Sequence, residues 1–153
     1  MWKRARTIDL QPWPFLDRPR VLIEHPDPDR SLELAGEIRR RVGCSVGICR
    51  GPDAAANPAT RCPLHRLEPC VAVEGADLVV TALKLEQADG RQVLRGLRTR
   101  YPSIPLVVQA TVDQTLELGD LLAGCTVVPV DADTRQLSDA VATALGRTTE
   151  PAN

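Results

Sequence analysis

Four side chains able to bind a soft metal fall within 22 residues: Cys49, Cys62, His65 and Cys70. Cys62-Pro63-Leu64-His65 is a C-x2-H step, a spacing at which two side chains can chelate one ion. Cys49 and Cys70 would complete a tetrahedral Cys3His set of the kind that holds zinc. An iron–sulfur cluster would instead draw on Cys70, Cys62, Cys49 and either Cys44 or His65. The stretch contains no paired C-x2-C, and its gaps of 12 and 7 residues match no standard zinc module. Two other readings fit the same residues: small buried hydrophobes, as cysteine often is, or thiols that respond to redox state. Cys44 and Cys125 lie in or beside apolar runs and read as core.

A second group of polar residues follows the first apolar run: Glu24, His25 and Asp27. Asp27 precedes Pro28 and reads as a helix N-cap with proline at the first helical position. Glu24 reads as a solvated rim residue. His25 reads as a structural or solvent-facing imidazole, with a ligand or pH-sensing role as the alternative. The chain shows no Ser-His-Asp arrangement, no Gly-rich phosphate loop and no paired catalytic carboxylates, so an enzyme is not expected.

The elements that must position these residues alternate along the chain. Val21-Leu22-Ile23 predicts a first strand, and Leu32, Ala35 and Ile38 a helix closed by Gly43. Residues 44–49, 77–83, 105–111 and 126–128 supply four more strand signals, each short and rich in β-branched residues. Helices are expected around Val93-Leu94-Leu97, around Leu116-Leu121-Leu122 and around Leu137-Val141-Leu145. Such alternation predicts an α/β domain with a doubly wound, five-stranded parallel sheet of flavodoxin-like order. The exception is Arg50–Pro69, rich in Pro, Ala, Asn and Cys, which predicts an irregular Cys-containing loop in place of the second helix.

A chain of 153 residues is expected to form one domain, here residues 19–147. Residues 1–18 read as an N-terminal extension carrying Trp2, Trp13 and Phe15, and 148–153 as a polar tail. A net charge of −1 argues against a broad nucleic-acid or anionic-membrane footprint. No apolar stretch approaches the roughly 18 residues of a membrane span, and the N-terminus has no signal-like apolar segment. These features lead to an expectation of a cytoplasmic protein.

Two stretches resemble response-regulator receiver domains. Val21-Leu22-Ile23-Glu24-His25-Pro26-Asp27-Pro28-Asp29 is similar to the opening strand and loop. Asp77-Leu78-Val79-Val80-Thr81-Ala82-Leu83, with Asp89-Gly90, Val93-Leu94, Leu97-Arg98, Tyr101-Pro102 and Ile104-Pro105, is similar to the central third. Receivers hold Mg²⁺ on an acidic pair after the first strand and accept a phosphoryl group on an aspartate ending the third. The matching positions here are His25 and Pro26, then Ala82. The phosphate-sensing hydroxyl falls on Ala110, and the lysine ending the fifth strand at or beside Val130. The resemblance thus implies a degenerate receiver without phosphorylation chemistry or cofactor. Such a module would signal by contact with a protein partner or a second copy of itself. The alternative is a metal-binding (zinc or iron–sulfur) or redox-sensing protein using Cys49, Cys62, His65 and Cys70.

Overall fold

The computed structural model describes residues 18–51 and 62–146. The aromatic-bearing extension up to residue 17, the loop 52–61 and the tail from 147 lie outside the described residues.

Five parallel strands form one sheet: β1 (Arg20–Glu24), β2 (Ser45–Cys49), β3 (Leu78–Thr81), β4 (Leu106–Gln109) and β5 (Thr126–Val128). Their spatial order, β2-β1-β3-β4-β5, is the flavodoxin-like doubly wound order expected from the alternation. The central strands are buried on both faces, which explains why they read as unbroken apolar runs rather than alternating ones.

Helix α1 (Pro28–Val42) begins as its sequence dictates. The Asp27 carboxylate accepts the N–H groups of Asp29 and Arg30, and Pro28 occupies a position where no N–H is missed. It ends at Gly43, whose φ of 73° suits a residue without Cβ. Its buried face is Leu34, Ala35, Ile38 and Val42. Leu32, expected on that face, is instead 62% exposed, because it sits two residues from Leu34 and so points away on a 3.6-residue turn.

One core packs α1 and the last helix, α6 (Thr134–Ala144), onto one face of the sheet. Arg41, 3% exposed, clasps these two helices. Its guanidinium donates to Ser138 Oγ (2.6 Å) and the Arg135 carbonyl (3.1 Å), and pairs with Asp139 (3.0 Å).

The other face carries α3 (Ala88–Arg100) and the cysteine-bearing segment. The second helix survives there as one turn, α2 (Val71–Glu74), preceded by a 3-10 turn at Pro63–Arg66. The helix expected around Leu116 to Leu122 is two short pieces, α4 (Val112–Glu117) and α5 (Gly119–Leu122). Thr111 opens α4 with a capping box to Gln114. None of α4's residues is buried, and Leu116 is 78% exposed. Among the described residues no helix is long and apolar enough to cross a membrane.

Candidate functional site

Two groups of polar residues meet the carboxyl ends of the strands, the edge at which open α/β sheets present ligand sites. The first is a crevice of about 770 Å³, a volume typical of small-molecule sites. The strand register builds it. Glu24 pairs with Thr81, so His25 and Pro26 emerge beside Ala82, whose N–H donates to the Glu24 carbonyl at 2.9 Å. Arg30 and Asp27 come from the start of α1, Lys84 and Glu86 from the loop after β3, and Thr111 and Gln114 from the start of α4. Ala110 is buried, with its N–H on the Val128 carbonyl. The next residue, Thr111, places a hydroxyl among the lining groups. Val130 lines the opposite wall.

Within this crevice the His25 ring is oriented by its own loop. Nδ1 accepts the Asp27 N–H at 3.0 Å, which leaves the proton of the neutral ring on Nε2. Partial burial lowers the imidazole's pKa, outweighing the nearby Asp27 charge, so the ring is neutral at physiological pH.

The second group lies on the face beneath the 3-10 turn. Register places Cys49, Glu24 and Thr81 side by side across β2, β1 and β3. Glu24 is a correction to the sequence reading: it is a buried residue, 2% exposed, rather than a rim residue. It shares the pleat parity of Leu22, whose side chain faces the same core. Its Oε1 accepts the Thr81 hydroxyl at 3.1 Å. Burial pushes the Glu24 carboxyl up to about 7, the Thr81 hydrogen bond opposing only in part.

The three cysteines of the expected metal set gather on this side. Burial, and then the Glu24 charge, pushes the Cys49 thiol up to about 12. Burial pushes Cys70 up to about 11 and raises Cys62, with Glu24 again contributing to each. Backbone N–H groups offset part of this, the one on Cys49 coming from Gly51 at 3.4 Å. Thiols so held stay protonated at neutral pH, which makes them poor nucleophiles. No disulfide joins any of the five cysteines.

The fourth expected ligand, His65, is committed elsewhere. Its Nε2 lies 2.9 Å from Asp89 Oδ1 on α3. Among the described residues no group of three His, Cys, Asp or Glu side chains is arranged to hold a metal ion. Cys44 is buried in the α1-side core as read from sequence, and Cys125 is half-buried against the other core.

His65 is part of a dock between the cysteine-bearing segment and α3 that sequence reasoning missed. Gln92 donates to the His65 carbonyl at 3.2 Å. The Tyr101 hydroxyl accepts the Cys70 N–H (2.8 Å) and donates to Glu74 (2.8 Å). Gly96 lets the turn approach α3 closely, since a Cβ there would fall 2.2 Å from the Leu64 carbonyl oxygen.

No protein-family model and no curated protein matches the chain. Solved structures do. The chain is similar to the non-phosphorylated HemR receiver domain of Leptospira biflexa, at 17% identity and a TM-score of 0.61, covering 89% of this chain and all of that one. It is similar to the receiver domain of an HD-domain-containing protein of Pseudomonas fluorescens Pf-5, at 22% identity and a TM-score of 0.58, covering 84% of this chain and 95% of that one. The chemotaxis protein CheY4 of Vibrio cholerae shares 9% identity at a TM-score of 0.58, with coverage of 83% and 98%. At these identities the likeness is one of architecture, and the architecture is that of the CheY-like receiver domain.

Proposed function

We propose that this chain is a regulatory module on a receiver scaffold that signals without aspartyl phosphorylation, by contact with a protein partner or a second copy of itself. The observation that carries this reading is Ala82 directly after β3, flanked in register by His25 and Pro26. Alanine offers no nucleophile for a phosphoryl group. Nor does the donor set fit the magnesium that receivers hold. Magnesium wants carboxylate and water oxygens, whereas the neighbouring imidazole and proline supply none, and the Asp27 carboxylate is engaged in capping α1. We take the module to act without catalysis, since the sequence offers no Ser-His-Asp arrangement, Gly-rich phosphate loop or paired catalytic carboxylates. A helix with no buried residue, α4, presents Val112 (77% exposed) and Leu116 to the surface and supports a role in protein contact. The chain's near-neutral charge favours neither nucleic acid nor membrane as partner, and a cytoplasmic setting fits five cysteines that form no disulfide. We take residues 19–147 as the signalling domain, residues 1–18 as its extension and 148–153 as a polar tail.

The test is incubation with acetyl phosphate and Mg²⁺ followed by intact-mass analysis. The expected result is an unchanged mass. An acid-labile phosphoryl adduct on any aspartate overturns the proposal.

A further inference from the structure

We propose that Cys49 and Cys70 are a redox modification site, at which a small-molecule disulfide such as oxidised glutathione joins them into a bond tying the end of β2 to the residue that opens α2. Neither residue lines the crevice over Ala82, and the inference does not rest on the reading of that residue.

The two thiols come from different elements and meet one core without a bond between them. Cys49 ends β2 on the face of the sheet that Leu22 occupies, since Leu22 pairs with Gly47 and side chains repeat every second residue. Cys70 precedes α2, and its N–H is the one that the Tyr101 hydroxyl accepts. Both are half-buried against the core and so within reach of solvent, whereas Cys62 is enclosed in it. A charge on Cys70 acts on Cys49 more strongly than a charge on Cys62 does. Of the remaining cysteines, Cys44 lies in the core on the opposite face, and Cys125 has the Arg98 charge rather than a thiol beside it.

Burial also sets how the site works. Both thiols hold their protons at neutral pH while the segment is seated. Oxidation therefore waits for the segment to lift from α3, where Gly96, Gln92 and Tyr101 hold it. Once lifted, Cys70 is solvated and ionises. Its thiolate attacks one sulfur of the oxidant, forms a mixed disulfide and expels one small thiolate, which takes up the proton that Cys70 lost. Reseating carries the mixed disulfide back to Cys49. The Cys49 thiolate then attacks the Cys70 sulfur and expels the second small thiolate, which takes up the Cys49 proton. Two protein thiols are oxidised to one disulfide, and the small disulfide is reduced to two thiols. The product ties the segment to the sheet covalently, so its position on α3 comes under the control of the thiol–disulfide balance.

The experiment uses the full reduced chain at neutral pH, without denaturant, treated with oxidised glutathione. Intact mass should fall by two hydrogens. Trypsin cleaves after Arg41, Arg50, Arg61, Arg66 and Lys84, so Cys49, Cys62 and Cys70 fall in the separate peptides 42–50, 62–66 and 67–84. The link should join 42–50 to 67–84, with fragment ions placing it on Cys49 rather than Cys44. Cys49→Ser should stop at a stable glutathione adduct on Cys70. Cys70→Ser should form no internal disulfide in the time the native chain takes. Gly96→Ala, which loosens the segment, should speed the reaction about fivefold or more. Hydrogen exchange as slow in β1 and β3 as in the native chain shows that each variant is folded. The proposal fails if the native chain stays reduced, if the link uses Cys44, Cys62 or Cys125, or if Cys49→Ser carries no adduct on Cys70. It fails equally if Cys70→Ser forms a disulfide at the native rate or if Gly96→Ala reacts no faster. A phosphoryl adduct with acetyl phosphate refutes the proposed function and leaves this site standing, whereas failure here refutes only the disulfide.

Discussion

At Glu24 the folded chain holds a carboxyl group that keeps its proton up to a pH of about 7, because burial penalises the charged form. The unfolded chain releases that proton near the ordinary value of 4.5. Between these two pH values the unfolded state therefore binds fewer protons, so stability falls as pH rises through the window and levels off above it. The expected loss is about 3 kcal/mol. His25 works in the opposite sense: its lowered pKa removes stability as pH falls below the ordinary histidine value of 6.5. The two are separated by comparing Glu24→Gln with the native chain in urea denaturation at pH 4, 6 and 8. The variant should match the native chain at pH 4 and exceed it by about 2–3 kcal/mol at pH 8. Equal stabilities at pH 8 would show that Glu24 is solvated in the folded chain. The capping role of Asp27 was legible because an Asp-Pro step after a strand has one physical reading. The burial of Glu24 was not, since the apolar run ends at Ile23 and only the strand's parity with Leu22 carried the signal.

The same contrast recurs among the elements. Each strand was legible from a short β-branched run, and α1 and α6 from apolar spacing joined to their caps. The segment between Cys62 and Glu74 was not, because its order comes from α3 rather than from its own composition. Several of its ties run to backbone, from the Gln92 and Tyr101 side chains and through the close backbone approach at Gly96, and these leave no periodicity to read. The pairing of His65 with Asp89 joins positions 24 apart in the chain, which spacing rules for metal ligands do not cover. Gly96→Ala tests the dock. The added methyl must push the Leu64 carbonyl away, at a cost of about 1–3 kcal/mol. Hydrogen exchange should quicken across residues 62–75 and stay slow in β1 and β3. Uniform quickening would mean that the segment and the sheet open as one unit.

For the whole molecule, two cores on opposite faces of one sheet are closed by different devices: a close backbone approach on the α3 side and the Arg41 clasp on the α1 side. Arg41→Ala should cost about 2–4 kcal/mol in urea denaturation, from lost packing and a buried Ser138 hydroxyl left with one partner fewer. An effect below about 0.5 kcal/mol would place the guanidinium in solvent. Deleting residues 1–17 should leave a single cooperative transition, since every described strand and helix begins after Pro19. A loss above about 3 kcal/mol would show that an aromatic of the extension completes a core.

The placement of Tyr101 has an optical consequence. Trp2, Trp13 and Phe15 all precede residue 18, so a chain shortened by 17 residues has this phenol as its only ultraviolet-fluorescent ring. That ring touches the backbone of Cys70 and the carboxylate of Glu74. Its near-ultraviolet dichroism and emission become a single-site gauge of whether the cysteine-bearing segment is seated on α3, with no label introduced.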